Sequence, residues 1–148
     1  MSNEIPSFRR PAPGKLMGRG HGPGDSVLAY EWDVVDEREG FIEVSAVLPD
    51  SARNPRGTMF GGYTGLYVDL MALHTHRSGH RDVADRPSLH TVHMAIDYLA
   101  PVTSERFTMT GTVDARRGRR SWCTIRMVDS GVPAVIARVT LQEIRPEQ

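Results

Sequence analysis

In NPRGTMFGGYTGLYVDLMAL, residues Asn54 to Leu73, two adjacent glycines precede an apolar run that contains a single aspartate, Asp69. A helix opening on Gly61-Gly62 leaves its first N–H groups unpaired at the positive dipole end, with no side chain blocking a ligand. That is the arrangement that steadies a carbonyl oxygen as it gains charge during attack. The plainer use of such a pair is to ease a tight loop-to-helix turn, and for the glycines alone that use is the commoner one. Asp69 changes the weighing. A carboxylate in an apolar helix is destabilising unless it is paired, solvated or functional. The nearest helical cations, His76 and Arg77, miss the i+3 and i+4 positions of a local ion pair. A general base or nucleophile at the floor of a cleft is the chemistry such a residue offers.

One helix does not bring the two groups together. Gly61 and Asp69 lie eight residues apart, roughly 12 Å along the axis and about 80° around it, whereas both must come within about 3 Å of one reacting group. The spacing therefore predicts a dimer in which Gly61 of one subunit meets Asp69 of the other.

Other residues invite chemistry less strongly. Arg116, Arg117, Arg119 and Arg120 cluster around a hairpin glycine in DARRGRRSW. They read equally as a dock for nucleotide phosphates and as a solvated turn that keeps sheet edges from sticking. His76 and His80 have i, i+4 spacing, but Gly79 places the second in a loop. Strict alternation puts His90 and His93 on opposite faces of a strand, so no metal site is expected. No Gly-x-Ser-x-Gly elbow occurs, which disfavours a serine hydrolase. Cys123 is the single cysteine and reads as a small core residue, and Trp32 and Trp122 read as core or interface aromatics.

The elements that must position these groups follow from pattern. The 148 residues suit one domain with a true core, and zero net formal charge gives no global pull toward nucleic acid or an acidic membrane. Lys15 is the only lysine; the arginine excess fits base composition of the genome better than function. Residues 1–26 form a Pro/Gly/Arg-rich arm, loose or docked on the body, and 27–148 form the domain. No secretory h-region or membrane-length apolar run occurs, so a cytoplasmic protein is expected. VLAYEWDVVDE and GFIEVSAVLP read as a hairpin turning at Glu39-Gly40, with Phe41, Val44 and Val47 partly sharing a face. Gly61 to Ser78 reads as a helix apolar nearly all round, with Leu66, Leu70 and Leu73 as one stripe, and hence as a buried one. SLHTVHMAIDYLAP alternates Val92, Met94, Ile96 and Tyr98 against Thr91, His93, Ala95 and Asp97. ERFTMTGTVDARR and RRSWCTIRMVD flank Gly118, and PAVIARVTLQEI follows Ser130-Gly131. One helix and five to six antiparallel strands make an α+β domain whose sheet curves around the helix.

NPRGTMFGGYTGLYVD, with HMAIDYLAPV downstream, resembles the hotdog-fold thioesterases of the phenylacetate-pathway (PaaI-like) group. Asn54, Gly57, Gly61, Gly62 and Asp69 fall on that family's spacing, and YLAPV matches its strand-ending Tyr-x-x-Pro. The likeness spans about Val27 to Ile144. It implies a hotdog fold that dimerises by joining sheets, often pairing into tetramers, and hydrolysis of acyl thioesters of coenzyme A or acyl carrier protein, with no cofactor beyond the coenzyme A of the substrate. It implies Asp69 as base or nucleophile, the Gly61 N–H as oxyanion donor, and Asn54 placing the water or thioester. Thr91 would hold the acid or the water, although simple alternation puts it on the less apolar strand face. Gly62 and Phe60 would line the substrate site. The family's histidine is Phe60 here, which makes a non-catalytic acyl binder a rival reading. A hotdog hydratase or dehydratase is a second rival, lacking its histidine near the helix.

Overall fold

The computed structural model describes residues 13–16, 31–79 and 88–144. Most of the arm, the start of the first expected strand, and the loop carrying His80 lie outside the described residues. Six strands form one antiparallel sheet: β1 Asp33–Arg38, β2 Phe41–Val47, β3 Ser88–Tyr98, β4 Arg106–Arg117, β5 Arg120–Asp129 and β6 Val132–Ile144, in the order β1-β2-β4-β5-β6-β3. The helix α1, Gly61–His76, lies against β2 through β6. The α+β architecture expected from pattern is thus the observed one. Of the arm, residues 13–16 dock beside β1: Lys15 bridges Asp33, and Leu16 is buried.

The hairpins turn where their chemistry allows. Ser130 and Gly131 both take positive φ, 50° and 78°, as the two central residues of a tight hairpin turn must. In β2 the buried side chains are Ile42, Val44 and Ala46, so the inward set is not the Phe41, Val44, Val47 series.

The helix corrects a second expectation. Its buried residues include Thr64, Tyr67, Val68, Met71, Ala72 and Thr75; of the expected stripe Leu70 is buried, whereas Leu66 is exposed and Leu73 only half-buried. The face bearing Gly61, Gly65 and Asp69 stays at least partly open, because a single sheet covers the helix from one side. Three glycines near the start weaken this helix by about 0.5–1 kcal/mol each. Burying Tyr67, Val68 and Met71 stabilises it by about 1.5–3 kcal/mol apiece, so packing wins. Tyr67 stacks on Trp32 with ring centroids 5.1 Å apart and tilts against Phe107 at 5.5 Å. The helix also sits very close to β4, where Gly111 leaves room for Thr75. No helix among the described residues is long and apolar enough to cross a membrane.

Candidate active site

The loop before α1 is pinned on three sides, which fixes where the helix begins. Met59 N–H donates to the Val102 carbonyl at 2.9 Å, and Phe60 N–H to the Ala52 carbonyl at 2.9 Å. The Arg53 guanidinium donates to the carbonyls of Gly57 at 2.6 Å and Thr103 at 2.8 Å. Asn54 belongs to this scaffold. Its Oδ1 accepts from the N–H groups of Arg56 and Thr58, and its Nδ2 donates to Thr58 Oγ1 at 2.7 Å. The amide expected to place the water or thioester is thus folded into its own loop, as an Asx-type turn demands.

α1 then opens with Phe60 as its N-cap and without a side-chain cap bond. Intrahelical pairing resumes at Tyr63 and Thr64, whose N–H groups both reach the Phe60 carbonyl. Among the described residues the N–H groups of Gly61 and Gly62 meet no acceptor, and both glycines are exposed. Backbone donors at a helix start, rigidly held and open, are what an oxyanion requires. The Phe60 ring, 54% exposed, leans over Gly62, so that a Cβ there would lie 2.9 Å from its Cε1.

Two turns along, Asp69 is half-buried, and its Oδ1 accepts a 2.5 Å hydrogen bond from Thr91 Oγ1. Simple alternation places Thr91 on the far face of β3; the structure does not. A β-bulge between Thr91 and His93 shifts the register, so Thr91 pairs with Leu141 as Met94 pairs with Val139, Ile96 with Ala137 and Tyr98 with Val135. Those β6 partners are buried, so all four β3 residues point toward the helix. A bulge adds one residue and re-aims the next side chain. The same shift puts His90 and His93, opposite Gln142 and Thr140, on one face rather than two. No group of three or more potential metal ligands occurs among the described residues.

β3 touches the helix along one ridge. Tyr98 Oη donates to the Gly61 carbonyl at 3.0 Å, Ile96 lies 3.9 Å from where a Gly65 Cβ would stand, and Thr91 holds Asp69. Positions i, i+4 and i+8 follow a single ridge of the helix. Tyr98 carries no predicted role, because nothing in strand periodicity marks a hydroxyl aimed at a helix carbonyl.

The arginine cluster is divided. Arg116 turns onto the helix end, donating to the His76 carbonyl at 3.1 Å and lying 3.2 Å from its Nδ1. It caps the last helical carbonyl at the negative dipole end while its side chain stays exposed beside those of Arg117 and Arg119. Arg120 donates to Gln142 at 2.9 Å. Arg117 and Arg119 are exposed on the hairpin. His76 is further held by Ser121 Oγ, 2.7 Å from Nδ1, and by Glu143, 3.2 Å from Nε2. Burial, then the Arg116 charge, hold this imidazole below its ordinary range despite the opposing Glu143. A serine, a histidine and an acid stand in line, but Ser121 is only 1% exposed, so no substrate reaches it and the trio acts as a structural pin. Cys123 is buried, and burial pushes its thiol up to about 12, leaving a protonated core residue. Trp32 is buried and Trp122 is exposed.

The fold agrees with comparisons to known proteins. Residues 56–135, more than half of the chain, match the profile of the thioesterase superfamily. No curated protein sequence matches. Among solved structures, thioesterase superfamily member 2 of zebrafish superposes with a TM-score of 0.71 at 18% identity, over 83% of this chain and 88% of that one. A hypothetical thioesterase of Streptococcus pneumoniae, solved with coenzyme A, gives 0.69 at 17% identity, over 80% and 89%. PaaI of Escherichia coli, from the phenylacetic acid degradation operon, gives 0.66 at 18%, over 77% and 80%. The match over residues 56–135 places the chain in the thioesterase superfamily, as a thioester hydrolase, and the superpositions place it on the hotdog fold that PaaI shares.

Proposed function

We propose that this protein hydrolyses an acyl-CoA thioester at a site assembled from two subunits. The thioester oxygen rests on the Gly61 and Gly62 N–H groups of one subunit. Asp69 of the other, steadied by Thr91, activates water or attacks the carbonyl directly. The observation that carries this reading is the separation within one chain: open donors at Gly61-Gly62, and an acid roughly 12 Å along the same ridge. A second copy, its helix antiparallel to the first, supplies the missing half twice over.

β3 supports that assembly. It is an edge strand of eleven residues with an unpaired outer edge among the described residues, and Val92 is 47% exposed. Met94 and Leu99 are exposed beside it. A long edge with apolar side chains invites pairing with a like strand. The coenzyme A found with the Streptococcus pneumoniae structure supports coenzyme A as the carrier. Arg117 and Arg119 remain as phosphate contacts; a tetramer made of two dimers and a cytoplasmic location belong to the same reading.

Phe60 favours one alternative, a protein that binds acyl-CoA without turnover, since an imidazole is absent where its apolar ring leans over Gly62. The hydratase reading needs an imidazole at this end, whereas His74 and His76 sit in the last turn of α1. Thiol release from a panel of acyl-CoAs separates these readings. Asp69→Asn should lower kcat by at least about 100-fold, the order expected when a positioned base is lost. Randomly mixed Asp69→Asn and Gly61→Val subunits should recover about a quarter of wild-type activity, because half of the dimers then carry one intact site of two. Undiminished Asp69→Asn activity ends the catalytic assignment, and mixtures that stay inactive end the shared site.

A further inference from the structure

We propose that Tyr98 is a positioning residue for one of the two oxyanion donors: its hydroxyl, bonded to the Gly61 carbonyl, orients and polarises the peptide whose other end is the Gly62 N–H. The inference rests on the reading that the thioester oxygen sits at the Gly61-Gly62 end. Gly61 C=O and Gly62 N–H belong to one conjugated peptide group, so a proton donated to the oxygen at 3.0 Å draws electron density from the nitrogen. The carbonyl has two lone pairs and accepts this bond beside its intrahelical one. A chain then runs from the Tyr98 hydroxyl through the Gly61-Gly62 peptide to the substrate oxygen, and each hydrogen bond in such a chain strengthens the next.

The surroundings leave room for this bond. Gly61 has no Cβ, and one built there would lie 4.0 Å from Tyr98 Oη. Tyr98 ends β3, 59% exposed, with its backbone paired to Val135 of β6. The far part of that strand presents Thr91 to Asp69. One rigid strand therefore holds both halves of the chemistry, an acid through Thr91 and a donor through Tyr98. Because negative charge on the oxygen grows toward the transition state, the polarised N–H favours that state over bound substrate. Its signature is a change in kcat without a change in KM.

Tyr98→Phe removes one oxygen and tests the inference. A full oxyanion donor is worth about 10²–10³ in kcat, and a bond in a chain adds about 10–30% to its neighbour, so kcat should fall roughly two- to eightfold. KM should stay constant; a merely structural tether would disturb KM as well. The second readout needs no turnover: the carbonyl stretch of a bound ketone analogue in which CH2 replaces the thioester sulfur. In the wild type this band should lie below its frequency in water, and in Tyr98→Phe it should return part of the way. Wild-type kcat or an unmoved band in Tyr98→Phe overturns the inference while leaving the thioesterase reading to stand on Asp69→Asn. A wild-type band that is not lowered removes the oxygen from the Gly61-Gly62 end, and the inference falls with that reading.

Discussion

Gly61→Ala separates the two uses of a glycine at a helix start. Gly61 is not among the residues with positive φ, so alanine adopts its backbone without strain. A methyl there meets only Tyr98 Oη, at 4.0 Å, an ordinary van der Waals contact. Replacing glycine at a compatible position stabilises by about 0.4–1 kcal/mol, chiefly by restricting the unfolded chain. For a chain of this size that is a rise in Tm of about 1–4 °C. The same methyl stands on the exposed first turn, beside the N–H that receives the thioester oxygen. A reacting carbonyl held off by about 1 Å loses on the order of 10²-fold in rate, so kcat/KM should fall by about 10- to 100-fold. Differential scanning calorimetry and thiol-release kinetics on the same preparation read both effects. A protein that gains stability and loses activity has a glycine kept for access. Gained stability with wild-type kcat/KM refutes the oxyanion reading and leaves a glycine that only eases the turn. Gly62→Ala is the contrast: its Cβ would stand 2.9 Å from Phe60 Cε1, so its effect includes displacement of that ring.

Two further predictions concern the frame around the site. Gly111→Ala would place a Cβ 1.8 Å from Thr75 Oγ1 and 3.1 Å from Ile125 Cδ1, forcing α1 off β4; overpacking of about 1–3 kcal/mol should lower Tm by about 2–12 °C, less in a Thr75→Ala background, and an unchanged Tm refutes the close approach. His76 is held below its ordinary 6.5 by burial and by Arg116, so as pH falls through 6.5 the unfolded chain takes up a proton that the folded one refuses, and stability falls with it. Denaturant midpoints from pH 7.5 to pH 5.5 should therefore decline more steeply in the wild type than in His76→Gln, and equal slopes would show that His76 is not the group responsible.

The strands, the helix and the hairpin turns are readable from the amino acids because each depends on local pattern. Ser130-Gly131 and Gly118 mark turns by the φ values they permit, and the apolar runs between them are of strand length. Gly61, Gly62 and Asp69 stand out because each breaks the pattern of its own helix. Thr91 shows where local pattern fails. Period-two alternation assumes one residue opposite one, and the bulge that turns Thr91 toward Asp69 is visible only against β6. Arg116 and Asn54 show a different limit: their types suit phosphate or water, and the structure also gives them structural partners, a helix-end carbonyl and a loop threonine. No spacing rule ranks those competing claims.

The helix itself poses the last of these conflicts, and its direction is informative. Composition makes α1 apolar nearly all round, which in one chain means full burial. In the fold, Leu66 and the glycine ridge remain exposed or half-covered, and the neighbouring edge of β3 presents Val92, Met94 and Leu99 to solvent. Exposed apolar side chains beside an edge strand that is unpaired among the described residues have the makings of an interface. The uncovered face is also the one bearing Gly61 and Asp69, two groups placed too far apart to act on one carbonyl unaided. On the two-subunit reading proposed above, a second copy seated there would answer the packing deficit and the catalytic gap with one contact. Val92→Glu, which leaves the single-chain core untouched, should then leave a single subunit in analytical ultracentrifugation and abolish thiol release; a single subunit that keeps wild-type activity refutes the shared site.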